Sequence, residues 1–352
     1  MLFLIRIFGF SLSLLDKAVL EKLTFLLSRL YLLFPSRRKQ TIVSNLKYAF
    51  PSWSKEKIRD VTIVSFARTI EMGFFSIIYP HMDKDSWRQT LQVSQAGEEK
   101  LIELRKSSRP VLCLLPHLCL FESLATSPLF RPFGGKKFGA VYRPNKNPKL
   151  NNWINLNREK TGIKTFSRKK GLLEAKSFLK DGNWLTVLFD QNAGDRGMLD
   201  LFMQRLVSYS SLPDSLAKST GAISIFLFPK RIDFFRTELR IFELENQSEV
   251  RVSQQAHRLL EQILNNEENG CPEWLWAHGK WKIHARVESR YQMLVKRKQL
   301  ILGKKIPRIT NFYIRMPNWL GDVIMAIPIL FALRKGRPDV RFTLVAKSQF
   351  LP

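Results

Sequence analysis

Val111-Leu112-Cys113-Leu114-Leu115-Pro116-His117-Leu118-Cys119-Leu120-Phe121-Glu122 is the stretch that decides the fold. Its first five residues form an apolar run that reads as a strand, and Pro116 ends it. Ser123 to Leu129 reads as the helix that follows. A histidine and a carboxylate then stand at a strand's carboxyl end with four residues between them, the materials for a base and its orienting partner. Five positions along an ideal helix is a rotation of about 500°, which would turn the two side chains apart. They meet only if His117 precedes the helix and Glu122 lies in its first turn. A helix N-terminus there disfavours imidazolium and keeps the ring available as a base. That chemistry points to transfer involving a hydroxyl.

Outward from this stretch the pattern alternates. The segment from Thr41 to Tyr79 reads as helical, with Ser54 as an N-cap and apolar residues at three- and four-residue spacing from Lys55 to Phe75. Gly97 to Lys106 reads as a helix feeding the Val111 strand. Gly171 to Lys180 reads as a helix, Asp181-Gly182 as a turn, and Trp184 to Phe189 as a strand ending at Asp190. Pro213 to Ser219 and Arg251 to Leu264 read as helices and Ala222 to Phe228 as a strand. Alternation of this kind predicts an α/β fold, a central sheet flanked by helices. Reactive groups in such sheets gather at the carboxyl ends of strands, where His117 and Asp190 both fall.

The chain carries 57 Lys plus Arg against 30 Asp plus Glu, a formal net charge of +27 over 352 residues. The excess favours an anionic partner: a lipid surface, a phosphorylated substrate or nucleic acid. No nucleic-acid reader motif is present in the sequence, and the apolar N-terminus argues against that partner. Residues 1–34 are strongly apolar but interrupted by Arg6, Asp16, Lys17, Glu21, Lys22 and Arg29. The uncharged run from Ile7 to Leu15 is shorter than the roughly 20 residues a span needs. No small-residue cleavage site follows it. Two amphipathic helices lying in a membrane interface fit best, with Arg37-Arg38-Lys39 on the cytoplasmic side. Cys113, Cys119 and Cys271 lack metal-ligand spacing and read as buried thiols in a reducing compartment. A nucleophilic role for Cys119 is the weaker alternative to His117, because residues two apart usually face differently.

Several ordered blocks give the His117 stretch a context. They are Asn45-Leu46-Lys47-Tyr48-Ala49-Phe50-Pro51, Val141-Tyr142-Arg143-Pro144, Arg158, Asp190-Gln191, and Pro272-Glu273-Trp274-Leu275-Trp276-Ala277-His278-Gly279-Lys280-Trp281-Lys282. Together they resemble the lipid A late acyltransferases, the lauroyl and myristoyl transferases of lipopolysaccharide assembly, over about residues 1–290. Two departures stand out. Phe202-Met203-Gln204 lacks the glycine of the family's Phe-Phe-Gly, and Gly279 stands where a basic residue is common.

The resemblance implies an inner-membrane enzyme with its site facing the cytoplasm, a membrane-associated segment at 1–35 and an acyltransferase domain at 36–290. It implies that His117, oriented by Glu122, deprotonates a hydroxyl of a lipid A precursor. The hydroxyl then attacks the thioester of an acyl carrier protein or coenzyme A, with no metal or cofactor. Arg158 is the candidate contact to donor phosphate or oxyanion, Arg143 to lipid phosphate, and Asp190 a group that positions Arg158 or a water. The alternatives are acylation of another membrane glycolipid or phospholipid, and a non-enzymatic basic protein of the membrane surface.

A basic stretch, 291–310, reads as a linker. Beyond it a strand at Phe312 to Arg315, a Gly-Asp turn and a helix from Val323 to Arg334 resemble the opening of the heptosyltransferase-like glycosyltransferases, family 9. About 40 residues cannot bury an independent core of that type. The segment 311–352 is therefore expected to be an incomplete piece, inactive as a transferase.

Overall fold

The computed structural model describes residues 2–350 except 128–133, 146, 169, 195–196, 247–248, 267–269, 283–306, 308–309 and 338. In chain order the helices are α1 (Leu2–Ser13), α2 (Lys17–Leu33), α3 (Arg37–Ala49), α4 (Lys55–Ile78), α5 (Lys84–Thr90), α6 (Gln95–Lys106), α7 (Ser123–Thr126), α8 (Pro148–Glu159), α9 (Leu172–Lys180), α10 (Leu212–Thr220), α11 (Val252–Asn265) and α12 (Leu320–Gly336). The strands are β1 (Leu91–Val93), β2 (Val111–Leu115), β3 (Phe138–Tyr142), β4 (Ile163–Ser167), β5 (Trp184–Leu188), β6 (Met198–Phe202), β7 (Arg205–Tyr209), β8 (Ile223–Asp233), β9 (Arg236–Leu244), β10 (Thr310–Arg315) and β11 (Val340–Val345).

Two compact units divide the chain. The larger comprises residues 1–44, 53–190 and 211–278. It is built on a seven-stranded sheet in the order β1-β9-β8-β2-β5-β3-β4. The neighbours pair in parallel except β8 with β9, which are antiparallel, so the sheet is mixed as the α/β reading expects. The centre is β2, every residue of which is buried. A strand covered on both faces needs continuous apolar character, which is why Val111–Leu115 does not alternate. On one face Val111, Cys113 and Leu115 pack with Trp184, Ile225, Leu239 and with Leu101 and Leu104 of α6. Fully burying a side chain of this size contributes about 1.5–3 kcal/mol.

The N-caps follow the sequence. Ser54 accepts from Lys57 N and Ser94 from Gly97 N, each satisfying a helix-end amide. Within Thr41 to Tyr79, α3 and α4 are separated at Phe50 to Ser54, where Pro51 breaks the backbone ladder before the Ser54 cap. The helix expected from Ser123 to Leu129 closes at Thr126, and its last two positions lie outside the described residues.

Helices α1 and α2 bury one side and expose the other. Leu12, Leu20, Thr24, Ser28 and Leu32 are buried, whereas Phe3, Leu4, Leu14, Leu33 and Phe34 are each more than 65% exposed. Gly9 lets α1 lie against the end of α4, since a Cβ there would meet the Ile77 carbonyl oxygen. This apolar N-terminus is consistent with membrane association. Helix α4 is long and apolar enough to cross a membrane, but half of its apolar window is buried inside the protein. Arg68 and buried Glu71 also stand mid-helix in an ion-pair cluster.

The second unit comprises residues 45–52, 191–210 and 279–352. It contains the antiparallel hairpin β6–β7 and a parallel pair, β10 with β11, joined through α12. The expected Gly-Asp turn is absent: Gly321 and Asp322 lie in the first turn of α12. The expected strand and helix are followed by a second strand, β11, parallel to β10, which completes a βαβ unit. Buried Arg337 joins Asp339 through Nε and Nη2 at 2.7 and 2.8 Å. The 291–310 linker lies almost wholly outside the described residues.

Candidate active site

His117 and Asp190 meet because two parallel neighbours are in register. Leu115 pairs with Leu188, and each of the two residues lies two positions further along its own strand. Asp190 Oδ1 is 2.6 Å from His117 Nδ1. Asp190 Oδ2 accepts from the His117 backbone N–H at 2.9 Å and from the Trp274 indole at 2.7 Å. Because a carboxylate accepts, Nδ1 carries a proton, and whenever the ring is neutral the lone pair is on Nε2. Asp190 is fully buried and His117 11% exposed. Burial alone would raise the Asp190 carboxyl. The charge and hydrogen bond of His117, the charge of His278 and the Trp274 indole outweigh it, and hold the group far below the usual carboxylate range.

Trp274 arrives on a strap from the closing tryptophan block. It bridges Leu118 in antiparallel fashion. Cys119 N donates to Glu273 O at 2.7 Å and Leu275 N donates to His117 O at 2.9 Å. The ring of His278 packs edge-on against Trp274 at 4.8 Å and lies 6.4 Å from His117.

The expected orientation of His117 by Glu122 is corrected by this geometry, since Nδ1 meets Asp190. Glu122 is the residue before α7, and its two oxygens accept from Arg158 of α8, Oε1 from Nη2 at 2.5 Å and Oε2 from Nε at 3.2 Å. Four residues of chain bring His117 and Glu122 to one end of the sheet but aim their carboxylate contacts in different directions. Asp190, expected to position Arg158 or a water, instead engages His117. The structure thus holds two acid–base pairs, His117–Asp190 and Arg158–Glu122. Arg143 follows β3 at the same sheet end and is exposed.

A narrow apolar pocket of about 70 Å³ lies against the sheet beside these pairs. Leu115, Phe138, Ala140, Thr186 and Leu188 are among its strand residues, Phe121 and Leu124 cover it, and Glu122, Arg158 and Tyr142 supply polar groups. A concave apolar volume with few convergent polar groups is the usual form of a small-ligand site. Cys119 does not serve as a nucleophile in this arrangement: it is buried, donates to the Arg68 carbonyl, and burial pushes its thiol well up. Cys113 and Cys271 are likewise buried free thiols.

Sequence reasoning named Asp190 but not its partner, and read Trp274 only as part of a block. The signal for the first lay in equal spacing: His117 and Asp190 each stand two residues beyond an apolar strand. Nothing in the sequence says that those two strands are neighbours.

The described residues thus place an acid–histidine pair at a strand end of an α/β sheet, beside an apolar pocket. The chain belongs to the bacterial lipid A biosynthesis acyltransferase family, whose model matches residues 1–283. It is similar to the lipid A biosynthesis lauroyltransferase of Escherichia coli (strain K12), 26% identical over 215 residues, 58% of this chain and 65% of that protein. It is also similar to a lipid A biosynthesis acyltransferase of Haemophilus influenzae (strain ATCC 51907 / DSM 11121 / KW20 / Rd), 22% identical over 242 residues, 66% of this chain and 72% of that protein. The first match therefore spans just under two thirds of the relative's length. Residues 311–352 lie beyond the family match, and no finding supports a glycosyltransferase fusion there.

Proposed function

We propose that this protein transfers a fatty acyl group from the thioester of an acyl carrier protein or coenzyme A to a hydroxyl of a lipid A precursor. The observation that carries the reading is the His117–Asp190 pair beside an apolar pocket whose polar groups are Glu122, Arg158 and Tyr142. In the reaction His117 Nε2 takes the proton of the acceptor hydroxyl as its oxygen attacks the thioester carbon. Asp190 holds the ring in the tautomer that leaves Nε2 free of a proton and stabilises the imidazolium that forms. The tetrahedral intermediate collapses, the carbon–sulfur bond breaks, and the proton on Nε2 goes to the departing thiolate.

Arg158 donates Nε and Nη2 to Glu122, so Glu122 fixes the plane of the guanidinium. Nη1 is the candidate donor to the developing oxyanion or to a phosphate of the donor. Exposed Arg143 is the candidate contact to a lipid phosphate. The pocket takes the acyl chain. The exposed apolar side of α1 and α2 seats the protein on the inner membrane with the site facing the cytoplasm, and the +27 charge suits phosphorylated lipid and an acidic carrier.

The test incubates detergent-solubilised protein with acyl carrier thioesters and a Kdo-bearing lipid A precursor, and weighs the lipid. Wild-type protein is expected to add one acyl mass and His117→Ala none. Equal acylation by both ends the mechanism. Acyl gain on a glycerophospholipid and none on the precursor moves the acceptor to another membrane lipid.

A further inference from the structure

Behind the site lies a cluster of charges that the reaction does not use. Glu71 of α4 is fully buried. Its Oε1 accepts from Phe235 N at 3.0 Å, and its carboxylate accepts from Arg231 Nε at 3.0 and 3.2 Å and from Arg68 Nη1 at 3.2 Å. Arg68 Nε reaches Glu273 Oε1 at 3.3 Å, and Arg231 Nη2 reaches Glu21 Oε1 of α2 at 2.8 Å. Two arginines thus join three carboxylates, and the five residues come from four separate parts of the fold. Such burial is costly in desolvation, so a cluster of this kind is weak support for stability and better suited to fixing one arrangement.

Each end of the cluster touches something of consequence. Glu21 lies on α2, whose outer side exposes Val19, Leu26, Leu27 and Leu30 together with Lys22 and Arg29. Glu273 lies on the strap whose backbone holds the His117 loop, through Cys119 N to Glu273 O and Leu275 N to His117 O. A second, apolar contact runs in parallel: Leu12 of α1 and Leu20 of α2 pack in one cluster with Cys119, Leu120, Phe74, Phe75 and Phe235. Leu120 has a φ of 59°, a left-handed conformation that is strained for a leucine and persists only when its surroundings impose it. Part of those surroundings is the inner side of the N-terminal helices.

We propose that Glu21, Arg231, Glu71, Arg68 and Glu273 form a positioning element through which the seating of α1 and α2 on an anionic lipid surface sets the loop that carries His117 and Glu122. The occupant is a lipid surface because the exposed side of α1 and α2 combines large apolar side chains with Arg6, Lys17, Lys22 and Arg29, the pairing that an anionic bilayer complements. A helix pair drawn onto that surface shifts as a body. Glu21 and Leu20 then pass the constraint to Arg231 and to Leu120, and the loop tightens. These are positioning residues, and their role in catalysis rests on the acyl-transfer reading above.

The test uses the full chain and phosphatidylglycerol vesicles. Amide exchange at Cys119 and Leu275 is followed with and without vesicles, and vesicle binding is measured by co-sedimentation. In the wild-type protein, binding is expected to slow both amides about tenfold. In Glu21→Gln the vesicles still bind, but the slowing falls below twofold, and turnover of precursor in vesicles drops in kcat with KM unchanged. Arg231→Lys keeps the charge but loses the fork between Glu71 and Glu21, and is expected to behave alike. Lys180→Gln, exposed on α9 and outside both the cluster and the lipid-facing side, retains the full slowing. Bound wild-type protein with no change at these amides overturns the proposal, as does undiminished slowing in Glu21→Gln. Slowing in the wild-type that Glu21→Gln abolishes, with no acylation by either protein, retains the coupling and rejects the acyl-transfer reading instead.

Discussion

The two acid–base pairs at the end of the sheet are built on different principles. His117–Asp190 hangs from adjacent parallel strands, and Asp190 is sealed from water with three donors on its two oxygens. Arg158–Glu122 joins the residue before a four-residue helix to the last turn of α8, and both partners keep about a fifth of their side-chain surface exposed. A strand-borne contact with a buried acceptor has one geometry. A pair at two helix ends beside a pocket mouth has room to adjust to what enters. On the proposed acyl-transfer reading, the difference suits the first pair to proton transfer and the second to charge contact with the substrate.

The sharpest way to break that division is to remove the base. His117→Ala is expected to lower acyl transfer by 10³-fold or more, at the upper part of the roughly 10²–10⁴ range of general-base contributions. Asp190→Asn follows closely, with a loss in kcat of about 10²–10⁴-fold, because an amide can present a donor to Nδ1 and favour the wrong tautomer. The measurement is kcat by lipid mass spectrometry under saturating acceptor. If Glu122→Gln costs more in kcat than Asp190→Asn, the division is reversed, and Glu122 is the partner that matters to His117.

How this division escaped the sequence is instructive. His117 was identifiable from its position after Val111–Leu115, because a short apolar run closed by a proline is a local signal. The Ser54 cap and the strand before Asp190 were legible for the same reason. The partner of His117 was not, because strand order is set by how the whole sheet packs. Sequence alone points to the nearest carboxylate, Glu122, whereas the partner stands 73 residues away. The strands β3 and β4 carry no such local signal, since Phe138–Tyr142 and Ile163–Ser167 are short and interrupted by glycine or polar residues. Fold class depends on local alternation and was legible; the site depends on register between distant strands and was legible only in part.

The second pair is probed by Arg158→Lys. Lysine keeps the charge but loses the planar fork that Glu122 grips with two bonds. Activity is expected to fall about 10–100-fold, with a larger share in KM than His117→Ala shows. A pH profile unchanged from wild type separates this effect from damage to the base. A shifted profile places Arg158 in the proton-transfer pair. The adjoining pocket gives a smaller effect. Ala140 and Thr186 are small residues on its strand side, and Ala140→Leu adds bulk there. One or two methylenes in an apolar site are worth about 1–3 kcal/mol of discrimination, so preference is expected to move about tenfold toward shorter acyl donors. Unaltered chain-length preference removes the pocket from the acyl path.

The smallest expected effect concerns acid stability, and it isolates the buried carboxylate. The Asp190 carboxyl is held far below its ordinary value of 3.8 in the folded protein. A depressed carboxyl contributes stability that is present above the unfolded value and is lost as pH falls toward the folded one. The wild-type protein is therefore expected to be more stable than Asp190→Asn at neutral pH. That advantage should narrow as pH drops below about 3.8, where the unfolded chain takes up a proton that folded Asp190 refuses. Denaturant unfolding of both proteins at several pH values measures the gap, and the carboxylates common to both cancel in the difference. A gap that stays constant down to pH values well below 3.8 would mean that Asp190 is not held ionised by His117 and Trp274, and that the contrast between a sealed pair and an adjustable one is too strongly drawn.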